Sequence, residues 1–413
     1  MPDKTLHNKT KPKLGIVLGG GGPLGGIYEI GALRALDEAL DGLNLNDLHT
    51  YVGVNAGSFV AANLANQMTP AQMCRIFVRN ESDIHPFHPG VFYKPAFSEY
   101  FQRAKAVPKI LVNAWMNLLS HPHDQSILGS LTALAQAVPS GIFDNEGFHQ
   151  YVSRSYNAIG RTNDFKQLRK SLIIIAADLE SGETVKFGSE GLQHIQISKA
   201  IQCSMASPGL YRPVEVDDHF YVDGTLNKGM HTSVAMDDGA DIVFAINPVV
   251  PIDVAQAVGA GSMSRHELSQ YGMANVLSQA YRTMIHSRLT SGLRHIKRRY
   301  PKKDLILFEP IRSDANLFFS SVFSFKARKM MCEQGYQLTR ASLRARSEEL
   351  EPLLASAGIR MRHDILNDEN RTLSTGLYGE ALPSYQAKVQ KVPAAKSGEG
   401  YLEKVTNKVV SIF

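Results

Sequence analysis

Cysteine is scarce in this sequence. Its 413 residues include three cysteines, Cys74, Cys203 and Cys332, which lie far apart and match no metal-binding spacing. A sparse, odd set of cysteines excludes a disulfide framework and favours a reducing compartment. We therefore expect a cytoplasmic protein that is stabilised by a large apolar core.

Long apolar runs are absent as well. The sequence contains no stretch of about eighteen apolar residues, the length that a transmembrane helix requires. The polar, lysine-rich segment 1–13 also lacks the apolar region of a secretory signal. Any contact with a membrane is therefore expected to be peripheral.

The excess of one charge sign is small. The sequence has 44 basic and 39 acidic residues, which gives a formal net charge of +5. This charge is too low to indicate nucleic acid as a partner, but it is compatible with weak attraction to an anionic lipid surface. Hydrophobic residues make up 44% of the chain and charged residues 20%, as in ordinary globular proteins.

Buried strands and helices alternate along the first part of the chain. Residues 14–18 form an apolar, strand-like run, and apolar residues then recur at helical spacing from about Gly26 to Leu40. A second short strand, 51–54, precedes a helix over about 56–65. This rhythm predicts an α/β fold with a mainly parallel sheet covered by helices. Further strands are expected at 171–177, 184–187, 220–222, 241–246 and 304–308.

The pattern divides the chain into three parts. A core is expected at 14–250, with a helical insertion at about 82–143. Trp115, Met116, Leu118 and Leu119 of that insertion could line an apolar channel or make ordinary helix contacts. A helical extension with one late strand follows at 251–361, with helices at 263–296 and 323–357.

The last part, 362–413, is a polar tail that ends in an amphipathic segment. Leu402, Val405, Val409 and Ile412 share one helical face of that segment. This face could dock on the body of the protein or enter a lipid interface.

A glycine-rich turn follows the first strand at 19–26. Gly20, Gly22 and Gly25 give a G-x-G-x-x-G pattern, but the second strand ends without the acidic residue that a dinucleotide site expects. A Walker-type phosphate loop would need a Gly-Lys-Ser/Thr sequence, which is absent. The remaining interpretation is an oxyanion hole, in which unobstructed backbone N–H groups lie at a helix N-terminus. A tight turn without chemistry is the plain alternative.

The second glycine turn has the spacing of a nucleophile elbow. Gly53 and Gly57 flank a central Asn55, where G-x-S-x-G would have serine. Asparagine tolerates the positive φ of such a turn, but its carboxamide has no hydroxyl and cannot form an ester intermediate. Ser58, one helical turn later, is interpreted as a helix residue, with a substitute nucleophile as the less favoured alternative.

Asp223 is the third candidate. It follows an aromatic and β-branched strand and precedes Gly224, so its carboxylate is expected at a strand end. A turn aspartate before glycine is common. Together with the two glycine turns, a general base becomes the favoured interpretation.

These three elements, in this order, resemble the patatin-like phospholipase family. The likeness includes segments 18–36, 200–208 and 221–224, and extends over roughly 14–250. It implies a three-layer α/β fold and hydrolysis of lipid acyl esters by a Ser–Asp dyad, with no metal or cofactor. Carried over by residue, the resemblance implies an oxyanion hole at Gly20, Gly21 and Gly22, the nucleophile position at Asn55, the general base at Asp223, and motif glycines at Gly25, Gly53, Gly57 and Gly224.

Three residues depart from the family pattern. Leu24 stands where a basic residue is usual, Thr225 replaces a smaller residue, and Asn55 replaces the serine nucleophile. Two hypotheses follow: a lipid acyl hydrolase whose nucleophile is lost in this chain, or a natural pseudoenzyme that binds lipid or acyl groups without hydrolysis. A nucleotide-binding α/β protein is a third, weaker possibility.

Overall fold

The computed structural model describes residues 11–81, 87–92, 94–96, 140–270, 272–313, 324–375 and 377. The strands in these residues are, in chain order, β1 (Leu14–Leu18), β2 (Leu40–Asp41), β3 (Thr50–Val54), β4 (Lys94–Pro95), β5 (Gly141–Asp144), β6 (Ser171–Asp178), β7 (Thr184–Phe187), β8 (Gly209–Tyr211), β9 (Val214–Val216), β10 (His219–Asp223), β11 (Ile242–Ile246), β12 (Asp304–Phe308) and β13 (Arg360–Met361).

The helices of the described residues are interspersed with these strands along the chain. They are α1 (Gly22–Ala39), α2 (Ala56–Ala65), α3 (Pro70–Met73), α4 (Glu146–Tyr156), α5 (Ile197–Ser204), α6 (Thr232–Asp237), α7 (Val254–Gly259), α8 (Glu267–Gln270), α9 (Met273–Arg299), α10 (Phe325–Ala345), α11 (Ser347–Ser356) and α12 (His363–Asn367). A π-helical turn, Cys74–Val78, continues α3.

The central sheet has the strand order β12-β11-β1-β3-β6-β10-β9, and β7 pairs with β6 outside this path. The five strands from β12 to β6 are parallel. The remaining strands, β10, β9 and β7, add antiparallel pairs. The predicted α/β fold with a mainly parallel sheet is therefore confirmed.

Apolar side chains lie on both faces of the sheet. Ile16 and Leu18 of β1 belong to one core cluster, whereas Val17 between them belongs to the other. This alternation follows from the two-residue period of a strand. Helices α1, α2 and α10 cover the first face, and α6 and α9 cover the second. A parallel sheet that is buried on both faces requires such a three-layer arrangement.

Helices α1 and α10 cross at two glycines. A Cβ on Gly31 of α1 would lie 1.9 Å from the carbonyl oxygen of Cys332, and a Cβ on Gly335 of α10 would lie 2.1 Å from that of Tyr28. Any side chain at either position would therefore collide with the partner's backbone. The two glycines allow α10, from the extension, to pack directly on the first helix of the chain.

Several element boundaries differ from the sequence prediction. Helix α1 begins at Gly22 and not near Gly26, because Gly21 adopts a φ of 112° and Pro23 suits the first helical turn. The helix predicted over 263–296 is interrupted at Gly272, whose φ is 84°, and the second part, α9, extends to Arg299. The segment after 361, predicted to be loose, begins with the short helix α12.

Other sequence predictions concern parts of the chain outside the described residues. These include the proposed channel residues Trp115, Met116, Leu118 and Leu119, and the amphipathic tail at 401–413. Among the helices that are described, none combines the length and apolar character needed to cross a bilayer.

Candidate active site

The turn between β3 and α2 has the backbone of a nucleophile elbow. Asn55, at its apex, adopts φ 54° and ψ −126°, a conformation that few non-glycine residues tolerate. The flanking glycines are required by close packing. A Cβ on Gly53 would lie 2.4 Å from Cα of Ser58, and a Cβ on Gly57 would lie 2.4 Å from the carbonyl oxygen of Gly19. Asparagine therefore occupies the elbow in the predicted geometry.

The carboxamide of Asn55 connects two parts of the site. Its Nδ2 donates to Oδ2 of Asp223 at 2.7 Å and to Oγ of Ser207 at 3.1 Å. Its Oδ1 accepts from the backbone N–H of Gly22 at 3.0 Å. The backbone N–H of Asn55 in turn donates to Oγ of Ser204 at 2.8 Å. The side chain thus links the glycine-rich turn to the carboxylate.

Asp223 is the last residue of β10, and both of its carboxylate oxygens accept hydrogen bonds. Oδ1 accepts from the backbone N–H and from the hydroxyl of Thr225, each at 2.9 Å. Oδ2 accepts from Asn55 and from the hydroxyl of Ser207, the latter at 2.6 Å. Burial raises the pKa of Asp223 above its usual value, while the hydrogen bonds from Ser207, Thr225 and Asn55 lower it. A buried carboxylate in such a setting can accept a proton from a hydroxyl group.

Thr225 extends this network outward from Asp223. Its Oγ1 lies 2.7 Å from the hydroxyl of Tyr281 on α9. Because the Thr225 hydroxyl already donates to Asp223, the Tyr281 hydroxyl must be the donor in this pair. The extension beyond residue 250 therefore contributes a side chain that orients the partner of the carboxylate.

The glycine-rich turn brings the backbone N–H of Gly22 close to Asn55. A Cβ on Gly20 would lie 2.7 Å from Cγ2 of Thr225, and a Cβ on Gly25 would lie 2.6 Å from the carbonyl oxygen of Gly20. Gly21 and Gly22 have positive φ values of 112° and 62°. The turn ends at the N-terminus of α1, where the helix dipole favours negative charge.

The structure brings most of the predicted site residues together. The residues that lie around one point are Gly20, Gly22, Asn55 and Asp223. Gly224 has no side chain, which lets β10 approach the Ile175 carbonyl oxygen. Ser58 is different. It is fully buried and its hydroxyl donates to the Asn55 carbonyl oxygen at 2.5 Å, away from Asp223. This geometry supports the interpretation of Ser58 as a helix residue.

Sequence reasoning missed two serines of the site. Ser207 lies just after helix α5, and its hydroxyl contacts Asp223. Ser204 was noted within segment 200–208 without a role. It supports the elbow, because its hydroxyl accepts from the Asn55 N–H and donates to the Ile175 carbonyl oxygen at 2.6 Å. The resemblance of segment 200–208 was the available signal for both.

An apolar cavity lies beside the elbow. Its volume is about 30 Å³, and its lining includes Pro23 and Ala56, the neighbours of Gly22 and Asn55. Five of the thirteen lining residues are phenylalanines: Phe59, Phe77, Phe87, Phe92 and Phe148. Their ring centroids are 4.5 to 5.8 Å apart in the contacting pairs. Two of them, Phe87 and Phe92, come from the predicted insertion.

A group of potential metal ligands lies elsewhere. Among the described residues, Asp178, Glu180 and His219 offer ligand atoms within 4.8 Å of one another. The Asp178 carboxylate already accepts backbone N–H bonds from Glu180 and Ser181 at 2.8 and 3.1 Å, and it lies 3.2 Å from His219. These contacts explain the cluster as a charged turn at the ends of β6 and β10.

His231 is a buried histidine next to the site. Its Nε2 lies 3.1 Å from the Gly224 carbonyl oxygen, and burial lowers its pKa to about 4. The ring is therefore neutral at pH 7, and it fixes the turn that follows Asp223.

Comparison with known proteins finds one matching family model and solved structures that resemble this chain. A family model described as patatin-like phospholipase matches residues 16–236, just over half of the 413 residues. The solved structure of VipD from Legionella pneumophila is 14% identical, with coverage of 81% of this chain and 67% of that chain and a TM-score of 0.39. The type III effector protein ExoU is also 14% identical, with coverage of 87% of this chain and 60% of that chain and a TM-score of 0.35.

Proposed function

The chain belongs to the patatin-like phospholipase family, and on this premise we propose that its site is that of a lipid acyl hydrolase in which Asn55 occupies the nucleophile position. The observation that carries the proposal is the 2.7 Å contact between Nδ2 of Asn55 and Oδ2 of Asp223. A serine hydroxyl at the same elbow would face the same carboxylate. The substrates would be carboxylic esters of phospholipids or acylglycerols, with the acyl chain directed toward the apolar cavity.

With serine at position 55, the reaction would proceed in two steps. Asp223 takes the hydroxyl proton as the oxygen bonds to the acyl carbon, and the N–H groups of Gly20, Gly21 and Gly22 hold the oxyanion. The bond to the leaving alcohol breaks, and the alcohol receives the proton from Asp223. Water, deprotonated by Asp223, then attacks the acyl-enzyme and releases the fatty acid.

Asparagine stops this sequence at its first step. Its carboxamide has no ionisable hydroxyl, so no ester can form at position 55. Loss of such a nucleophile typically reduces the rate by several orders of magnitude, leaving what binding and the oxyanion hole supply. We infer that turnover through position 55 is lost in this chain.

A second candidate function is a pseudoenzyme that binds lipid or acyl groups. The observation that favours it is that the Asn55 carboxamide is fully hydrogen-bonded. Its Oδ1 accepts from the Gly22 N–H, and its Nδ2 donates to the Asp223 carboxylate. Such a network is stable without a substrate. For a binding protein, Asp223→Ala would change the affinity for an acyl ligand, while hydrolysis would stay at background.

The decisive variant is Asn55→Ser. We expect hydrolysis of p-nitrophenyl esters and of phospholipid vesicles to rise by about a thousandfold or more over the parent chain, in line with the cost of losing a nucleophile. The double variant Asn55→Ser/Asp223→Ala is the control and should show no such rise. If Asn55→Ser gains nothing while it folds normally, the hydrolase proposal is wrong and the binding function is favoured.

A further inference from the structure

We propose that Ser207 is a relocated nucleophile, whose hydroxyl Asp223 activates in the chain as it stands. Oγ of Ser207 lies 2.6 Å from Oδ2 of Asp223 and 3.1 Å from Nδ2 of Asn55. The proposal rests on the proposed function in one respect, namely that Asp223 acts as a general base. It differs in assigning the reactive oxygen to another residue.

The contacts of Ser207 fix the direction of its proton. Nδ2 of Asn55 can only donate, so the Ser207 oxygen accepts from it and donates its own proton to Asp223. The 2.6 Å separation is in the range of a charge-assisted O–H···O⁻ bond. The hydroxyl is therefore aligned with a base on one side and with an N–H donor that stabilises a developing alkoxide on the other.

Accessibility distinguishes Ser207 from the other serines of the site. Ser58 and Ser204 are fully buried, and both hydroxyls donate to backbone carbonyl oxygens. Ser207 is half-buried and is followed by the exposed Pro208 and Gly209. Its hydroxyl donates to a carboxylate and lies where a reagent can approach.

The backbone holds Ser207 in place. Its N–H donates to the Met205 carbonyl oxygen at 2.8 Å, and its own carbonyl oxygen accepts from Leu210 and Tyr211 at 3.1 and 2.9 Å. Asp223 is tied to the same turn, because its N–H donates to the Ala206 carbonyl oxygen at 3.0 Å. Nucleophile and base are therefore parts of one hydrogen-bonded unit, as a positioned pair requires.

Asn55 then has a new role in the reaction. Once Ser207 has bonded to an acyl carbon, the Nδ2–H that pointed at its oxygen is free to donate to the adjacent oxyanion. Asparagine side chains serve this purpose in other acyl-transfer enzymes. The residue that removes the hydroxyl from position 55 would thus supply the nearest oxyanion donor for Ser207.

The chemical step balances without a cofactor. The Ser207 proton moves to Asp223 as Oγ bonds to the acyl carbon, and the tetrahedral intermediate collapses with loss of the alcohol, which takes that proton. Water then attacks the Ser207 ester, gives a proton to Asp223, and releases the acid as the proton returns to Ser207. We expect a rate at least about tenfold below that of Asn55→Ser, because the N–H groups of the glycine-rich turn are not engaged.

The test uses the unmodified full-length chain and an alkyl fluorophosphonate, which labels activated serines. We expect one adduct by intact mass, located on Ser207 by peptide mapping. Ser207→Ala should abolish the adduct, and Asp223→Asn should slow its formation by about a hundredfold or more, as for the loss of a general base. Ser189→Ala removes another half-buried serine, whose hydroxyl donates to the Lys186 carbonyl oxygen, and should be labelled at the parent's rate.

Two outcomes overturn the inference. One is the absence of an adduct on the parent chain, and the other is an adduct that persists in Ser207→Ala at the same rate. Thermal unfolding of each variant checks that it is folded. Failure here is distinct from failure of the hydrolase proposal: an unlabelled parent with an active Asn55→Ser refutes Ser207 alone, whereas a labelled parent with an inactive Asn55→Ser refutes the role of position 55.

Discussion

Nδ2 of Asn55 and Oδ2 of Asp223 are 2.7 Å apart, so a neutral donor faces a buried carboxylate at the centre of the site. The charge of the pair is therefore minus one when Asp223 is ionised. A second carboxylate at position 55 would have nearly the same shape as the amide and the opposite hydrogen-bonding character. A substitution of Asn55 by aspartate therefore measures the stability cost of a second negative charge in the site.

We predict that Asn55→Asp destabilises the protein in a pH-dependent way. Two carboxylates this close cannot both ionise, so the folded-state pKa of the pair is raised above the unfolded value of about 3.9. The penalty is absent below the unfolded pKa and grows by up to about 1.4 kcal/mol per pH unit as the pH rises toward the folded pKa. Urea unfolding of variant and parent between pH 5 and 8 measures it. An equal loss of stability at every pH would contradict the prediction.

In the Asn55→Ser background, the hydroxyl of Thr225 should influence the pH at which kcat/KM falls on the acid side of the pH profile. Its hydrogen bond lowers the pKa of Asp223, so Thr225→Val should move the fall in kcat/KM to higher pH. The rate is lost as the pH falls through this pKa, because the protonated base cannot take a proton. Tyr281→Phe is the control: it removes the Tyr281–Thr225 bond but leaves the Thr225 bond to Asp223. A pH profile unchanged by Thr225→Val would refute the assignment.

The phenylalanine-lined cavity should select acyl-chain length. Phe59→Leu removes a ring that packs 5.0 Å from Phe77 and 5.4 Å from Phe148, and so enlarges the cavity. In the Asn55→Ser background we expect the kcat/KM ratio of octanoyl over butanoyl esters to rise by about threefold or more. Phe187→Leu is a matched control, since Phe187 packs on Tyr221 and does not line the cavity. An equal shift in both variants would mean that stability, not the cavity, determines the preference.

Close approach of α1 and α10 should make Gly31 intolerant of a side chain. A Cβ there would lie 1.9 Å from a backbone oxygen, so Gly31→Ala should cost about 3 kcal/mol or more. Gly292→Ala in α9 is the matched control, because a Cβ at Gly292 has nothing within 4 Å and alanine favours the helix. Thermal unfolding should place Gly31→Ala well below the parent and Gly292→Ala at or above it. Similar midpoints for both variants would contradict the crossing geometry.

Much of the fold could be predicted from local sequence. Strands β7 and β12 and helix α2 begin and end at the predicted residues, because their apolar runs are short and bounded by turn residues. The elbow at Asn55 was predicted for the same reason, since two glycines at fixed spacing determine a turn. The Gly272 break was missed because the apolar pattern continues across it.

The rest of the site depends on contacts between distant segments. Ser207 meets Asp223 because the segment that follows α5 is hydrogen-bonded to the end of β10. The cavity wall combines side chains from α2, the π-helical turn, residues 87–92 and α4. No local pattern contains such information, because it arises from the pairing of elements that are far apart in sequence.

Strand β12 pairs with β11 in parallel along its whole length, although it follows the family match by many residues. A protein cut at residue 250 would leave the backbone groups of β11 open to solvent, and an open, apolar edge strand is a template for association with other chains. Recombinant fragments that end near residue 250 are thus expected to aggregate.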